Sequence, residues 1–396
     1  MAYLAPVNSL LSTIVCFFRI LVLKMTKCRL SVVSLQQESI MMKKGLIYTI
    51  FGLLLFTACS SDDDSTQEPV KRQATVTYLV TPNGLGDNGY NDDAAEGIFA
   101  FAKETGTRLR LMLPENEEEA EQMYRQWLTD NAENDSAVLI LGTSSYERMA
   151  KELSSPKLQD SSKKGTRVLL FESNAEIDGG STVMVSHYGV SYLAGAMSQG
   201  FDALILAAAE GVPALEESIA GFQDARNKYA GEYLGFPCQT TLHYLADGEA
   251  GFAMPDSAYR YITERSNDAF DYNEMIYPLI GGSITGVIRS LNDDEFTTAL
   301  MIGMDVDMTG RSARIPFSVV IRIGDVVKHY LNDWIAGREW PKHQRFGMRE
   351  GAADIVITPR FLQNLDLIDE RYREPDMFQK LYEQYKEEAM TYEDKR

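Results

Sequence analysis

Residues 74–104, ATVTYLVTPNGLGDNGYNDDAAEGIFAFAKE, hold the pattern on which the fold turns. Residues 74–80 form an apolar, β-branched run that suits a strand buried on both faces. A Gly/Asn-rich turn follows over 81–91. From about 92 to 104, Ala94, Ala95, Ile98 and Phe101 recur at helical spacing. Strand, tight turn and helix in immediate succession make the first half of a parallel βαβ unit.

The same rhythm continues outward. Residues 108–113 read as a second strand and 117–131 as an acidic amphipathic helix. Residues 137–141, 167–171 and 182–186 read as three further strands. A second series follows, with strands at 203–208, 238–245, 275–280 and 300–304. Helices at 192–199, 216–230, 257–264 and 286–291 lie between them. So many alternating elements exceed one compact sheet and predict an α/β protein of two Rossmann-like lobes, with parallel sheets joined by a hinge. The chain is expected to cross between lobes at 186–191 and to return through the apolar run 315–323. Helices near 326–335 and 376–390 close it. The predicted division is 74–188 and 305–320 for lobe 1, and 189–304 and 321–396 for lobe 2.

The chain is 396 residues long with a formal net charge of −19, from 57 acidic against 38 basic residues. Several of the basic residues lie before Cys59, so the body is more acidic still. A surface of that sign repels phosphate backbones, which argues against nucleic acid as a partner. Met41-Met42-Lys43-Lys44 is a short positive segment, and residues 45–56 are apolar, too short to span a bilayer but suited to a signal peptide. Phe56-Thr57-Ala58-Cys59 resembles a bacterial lipobox, which implies a signal peptide over 41–58, lipidation of Cys59 and a lipid anchor as the only membrane contact. Residues 1–40 duplicate a leader to no purpose, and the natural start is expected at Met41 or Met42. Residues 59–73, opening Ser60-Ser61-Asp62-Asp63-Asp64, form an acidic tether. They serve as a plain spacer, or as an export signal of the kind that places lipoproteins on the outer-membrane surface. With Cys16 and Cys28 in the leader and Cys59 lipidated, Cys238 is left alone. No disulfide framework or cysteine metal site is expected.

In open parallel sheets ligands bind beyond the carboxyl ends of the strands. The loops meeting that description are 81–91, 142–146, 209–215, 281–285 and 305–309. Asn83, Asp87 and Asn91 offer hydrogen bonds, and Tyr90 offers a ring for stacking. Ser144, Ser145, Gly282, Ser283 and Asp305 complete the expected ligand contacts. Loop 81–93 lacks the glycine and glutamate of a calcium loop and fits a dinucleotide fingerprint only loosely. It equally suits an Asx-rich turn with Asn91 or Asp92 as the cap of the next helix.

Catalytic signatures are absent from the sequence. Ser144 and Ser145 lie outside a G-x-S-x-G elbow, and the four histidines have no metal-ligand spacing. His187 falls at the expected crossover, where packing outweighs proton transfer. No catalytic residue, cofactor or metal is expected. The opposing reading, a nucleosidase or hydrolase, would rest on a carboxylate pair such as Asp305 and Asp307.

The string from Gly84 to Ile98, GLGDNGYNDDAAEGI, resembles the opening loop of the basic membrane protein family, substrate-binding lipoproteins with a type I periplasmic-binding fold. Tyr192-Leu193-Ala194-Gly195, Ala220-Gly221-Phe222, residues 281–288 (GGSITGVI) and residues 302–307 (IGMDVD) are similar to further family segments in the same order. The resemblance covers roughly residues 74–337. It implies a purine nucleoside as ligand and an ABC permease as partner. Tyr90 falls on the ring-stacking aromatic, Asn91 on a polar neighbour, and Asp305 on the carboxylate that takes sugar hydroxyls. Two positions depart from the family: Thr81 replaces an aspartate, and Ile321, beside Arg322, replaces a lysine. The combined expectation is an extracytoplasmic lipoprotein that binds a small polar, nucleoside-like ligand between its lobes. The alternative is a surface sensory or interaction protein on the same fold, with an outer-membrane partner.

Overall fold

The computed structural model describes residues 74–395, apart from 133, 135, 153–165, 234, 269–273, 294–297, 309 and 359–376. The predicted signal peptide, the predicted lipidation site Cys59 and the predicted tether lie outside the described residues.

The first series of elements is β1 (Thr75–Leu79), α1 (Tyr90–Thr105), β2 (Arg108–Met112), α2 (Glu117–Asp130), β3 (Ala137–Leu141), α3 (Glu147–Glu152), β4 (Arg167–Phe171) and β5 (Ser181–Val185). The second is α4 (Tyr188–Met197), β6 (Asp202–Ala207), α5 (Pro213–Tyr229), β7 (Glu232–Tyr233), β8 (Phe236–Pro237), β9 (Thr240–Tyr244), α6 (Pro255–Asp268), β10 (Glu274–Leu279), α7 (Ile284–Asp293) and β11 (Leu300–Met301). The chain ends with β12 (Phe317–Ile321), α8 (Ile323–Ile335), β13 (His343–Phe346), β14 (Ala353–Ile357) and α9 (Met377–Glu393).

Two parallel sheets result, in the α/β arrangement expected from the sequence. The first has the order β13-β5-β4-β3-β1-β2, the second β11-β10-β6-β9. Every pairing in both is parallel, with Thr75 opposite Ala137 in the first and Ile276 opposite Leu204 in the second. Burial follows sheet position. The central strands β3 and β10 are buried at every residue, while the edge strand β2 (RLRLM) alternates toward solvent.

The return of the chain differs from the predicted division. Residues 305–320 were expected with the first lobe, but β12 runs beside the second sheet. Val319 N–H donates to Gly303 O at 2.8 Å, and Ile321 N–H to Asp305 O at 2.9 Å. β14 then pairs antiparallel with β12. Residues 321–396 were expected wholly in the second lobe, yet α8 packs on α1 and β13 extends the first sheet beside β5. The reason is local composition. β13 (His-Gln-Arg-Phe) is a half-buried edge strand with no apolar run to announce it. The sheets are therefore joined by three connections, at 186–187, 322 and 347–352.

Glycine sets the closeness of one helix pair. A Cβ on Gly97 of α1 would stand 2.2 Å from the Gly324 carbonyl oxygen of α8. Nothing larger than hydrogen fits there. That contact fixes α8 against the helix that begins at the loop after β1.

Candidate functional site

The carboxyl ends of both sheets open onto one cavity of about 350 Å³. From the first sheet it is lined by the loop after β1 (Thr81, Asn83, Leu85, Gly86, Asp87, Tyr90, Asn91), by Gly142–Ser144 after β3, by Glu172 after β4 and by His187 after β5. From the second come Val212, Ala214, Leu215 and Ser218 after β6, and Phe252, Ala253 and Pro255 after β9. The end of β10 and the residues after it (278–282), with Met304 and Asp305 after β11, complete the wall. The first-sheet side is polar and acidic. The second-sheet side, Asp305 and Ser218 excepted, is apolar or bare backbone.

Residue by residue, the structure brings together most of what the sequence proposed. Asn83, Asp87, Tyr90, Asn91, Ser144, Gly282 and Asp305 line the cavity. Ser145 does not, and its hydroxyl pairs instead with Thr143 at 3.3 Å. Ser283 is fully buried behind the wall. Its Oγ donates to the Gly251 carbonyl at 2.7 Å and accepts from the Met254 amide at 2.6 Å. Both are fasteners of their loops.

Asp87 also turns out to build the loop. The helix cap is Gly89, not Asn91 or Asp92, and α1 starts two residues before the expected 92. The acceptors come from Asp87, whose Oδ1 takes the Gly89 amide at 2.9 Å and whose Oδ2 takes the Asn91 amide at 3.0 Å. Asp92 reaches back to the amides of Gly86 and Asn88, each at 2.7 Å. Reciprocal satisfaction of these donors holds the loop rigid and aims Tyr90 and Asn91 at the cavity.

Tyr90 donates its hydroxyl proton to Glu172 Oε1 at 2.8 Å. The other oxygen, Oε2, faces His187 Nε2 at 3.5 Å. Both Glu172 and His187 are buried. Burial pulls the His187 pKa down, but Glu172, then Glu217 and Asp305, overcome it and the net shift is upward. Asp305 approaches from the second sheet so closely that a Cβ on Gly89 would stand 3.1 Å from its Oδ2. Burial, then the carboxylates of Asp87, Glu172 and Asp93, push the Asp305 pKa up to about 7 against the pull of His187. Glu172 and Asp305 both have left-handed backbone, φ 52° and 66°, and the only other described non-glycine residue so placed is Asn88 in the β1 loop. Such conformations cost on the order of 1 kcal/mol or more each and collect at functional sites.

Glu172 was missed in the sequence, although it follows the strand-like run RVLLF as directly as Thr81 follows β1. The loop Glu-Ser-Asn lacks glycine and so did not stand out. His187 was placed at the crossover correctly, but its position in the cavity wall came from the fold. Thr81, read as a departure from the family, still lines the cavity and accepts from Asn91 Nδ2 at 3.4 Å. Ile321 is buried, and Arg322 donates to the Gly351 carbonyl at 2.9 Å, so neither puts a cation in the cavity. Among the described residues, no group of three or more His, Cys, Asp or Glu could hold a metal ion, and no helix is long and apolar enough to cross a membrane.

No family model matches the chain, and no curated protein matches it in sequence. Solved structures do match it in fold. A solute-binding protein of an ABC transporter system from Aeropyrum pernix K1 has a TM-score of 0.58 at 14% identity, covering 81% of this chain and 90% of that one. A transcriptional activator of the comK gene from Bacillus halodurans has a TM-score of 0.56 at 15% identity, covering 79% and 97%. A periplasmic solute-binding protein of an ABC transporter from Actinobacillus succinogenes 130z, solved with D-allose, has a TM-score of 0.55 at 13% identity, covering 74% and 100%. The chain shares the α/β fold of these binding proteins and regulators.

Proposed function

We propose that this chain is an extracytoplasmic lipoprotein, anchored through an acylated Cys59, which reversibly binds a small polar organic ligand and presents it to an ABC-type transporter. One observation carries the reading: the polar ends of two parallel sheets converge on a single cavity, with a hydrogen-bonding wall facing an apolar one. Sheets joined by three connections can hinge about them and enclose a solute. Phe252 and Leu215 suit the face of a flat ring, while Asn91 and Asp305 suit hydroxyls, so a nucleoside-like body fits. The resemblance of loop 84–98 to the basic membrane proteins supports that preference, and the D-allose complex of a fold neighbour supports a solute of sugar size. Nothing in this reading requires chemistry on the ligand.

Two experiments test it. Purine nucleosides and sugars, screened by thermal shift against the purified chain, should include a binder. At a hundred times its dissociation constant a ligand adds about 2.7 kcal/mol of stability. A complete set of nucleosides and sugars without a shift would defeat the ligand-class reading. For the anchor, metabolic labelling with an alkyne fatty acid should tag the wild-type chain in its native host and not Cys59→Ser. Equal labelling of both would remove Cys59 as the acylation site.

A further inference from the structure

Resting on the reading of this cavity as the binding site, we propose that its occupant carries a positive charge, a protonated amine on a body of sugar or nucleoside size. The charged side chains lining the cavity are Asp87, Glu172, His187 and Asp305, with no lysine or arginine among the described lining residues. An anionic ligand would meet three carboxylates and at most one compensating imidazolium. The net negative charge of the lining disfavours an anion.

Among these carboxylates, Asp87 is occupied by the amides that begin α1. Glu172 gives Oε1 to the Tyr90 hydroxyl, which leaves its Oε2 and the Asp305 carboxylate. Glu172 is 7% exposed, and its Oε2 meets only His187 Nε2, in an ion pair at 3.5 Å that is too long for a good hydrogen bond. The Asp305 carboxylate holds no protein hydrogen bond among the described residues. Asn91, 8% exposed, also lines the cavity and leaves Oδ1 without a donor.

Glu172 Oε2, Asp305 and Asn91 Oδ1 are acceptors, and the His187 imidazole that faces Glu172 is the one donor among these unsatisfied groups, so together they are short of donors. A buried acceptor without its donor costs about 1–3 kcal/mol, and more when it is charged. Hydroxyls would supply donors but leave the two carboxylates facing one another. An ammonium supplies three donors and the offsetting charge. The opposite wall, with Leu215, Phe252 and Leu279, is apolar and calls for a carbon framework behind the amine rather than a bare cation.

Matched pairs differing only in an amine test this directly: adenosine against 5′-amino-5′-deoxyadenosine, and galactose against galactosamine. Calorimetry at pH 7 on the wild-type chain should show the amine member of a pair binding at least tenfold more tightly than its neutral partner. In Glu172→Gln that advantage should shrink several-fold, with the neutral partner little changed. Should Glu172→Gln fold poorly, a pH series on the wild type answers the same question. Asp305 is faced by Asp87, Asp93, Glu172 and His187, and lowering the pH from 7 to 5.5 adds protons to this group. Amine affinity should fall by roughly tenfold while neutral affinity holds. A neutral partner that binds as tightly as its amine overturns the charge proposal and leaves the binding site standing. Failure of every member of both pairs to bind overturns the proposal and the nucleoside-or-sugar reading together.

Discussion

Arg226→Met should destabilise the protein by about 3–5 kcal/mol, since it strands several buried acceptors at about 1–3 kcal/mol each, a large part of the total stability of a domain. Arg226 lies on α5 and is 2% exposed. Its Nη1 donates to the Ser198 carbonyl at 2.7 Å, one Nη2 bond reaches Phe201 O at 2.7 Å, and Nε reaches Thr240 Oγ1 at 3.0 Å. A longer bond runs to Gln239 O at 3.3 Å. Ser198 caps the C-terminus of α4, Phe201 precedes β6 and Gln239 precedes β9. One planar fork thus ties a helix end, where partial negative charge collects, to the starts of two strands. Burial lowers the Arg226 pKa, with Cys238 and Asp202 working against that, but guanidinium stays protonated in proteins. Methionine keeps the stem and removes every donor, leaving carbonyls to be desolvated without a partner. Lysine restores charge but not the fork, so Arg226→Lys should fall between the two. Urea unfolding of the purified variants measures this. A loss under 1 kcal/mol for Arg226→Met would show that the guanidinium is not what joins these three segments.

Asp305→Asn should move stability in the opposite direction and remove binding. The sign follows from linkage. Below about pH 3 the carboxyl is protonated whether the chain is folded or not, and the variant gains nothing. As pH rises the unfolded chain releases this proton near 3.8, while the folded one holds it to about 7. Ionisation in the folded cavity therefore costs stability progressively over that window, and the full cost persists above it. Discounted for the partial exposure of Asp305, asparagine should stabilise the ligand-free protein by about 1–2 kcal/mol at pH 8 and by nothing at about pH 3. Asparagine also accepts the left-handed backbone found here at little cost. The same change deprives the ligand of a charged acceptor, and affinity should fall at least tenfold. A functional site held at the expense of stability behaves in this way. Thermal unfolding of the ligand-free variant at about pH 3 and at pH 8, with calorimetry on the best ligand, gives both numbers. Destabilisation at pH 8 would mean that Asp305 braces the fold instead of waiting for a partner.

What the amino-acid order determined by itself is what depends on near neighbours. The strands β1, β3, β4, β6 and β10 were legible because a strand buried on both faces must be apolar at successive positions. The rule that ligands gather at strand carboxyl ends then pointed to Tyr90, Asn91 and Asp305 before any side chain was placed. Tertiary structure alone decided which strand joined which sheet. β13 carries no apolar run and finds its sheet only through ladder bonds to β5. β12 turned to the second sheet through bonds at Gly303 and Asp305 that no local pattern encodes. The pairing of Tyr90 with Glu172, 82 residues apart, and the approach of Asp305 to Gly89 across the cavity likewise exist only once separate strand ends meet. Periodicity is a property of consecutive residues, whereas the field at a carboxylate depends on every charge that folding brings near it.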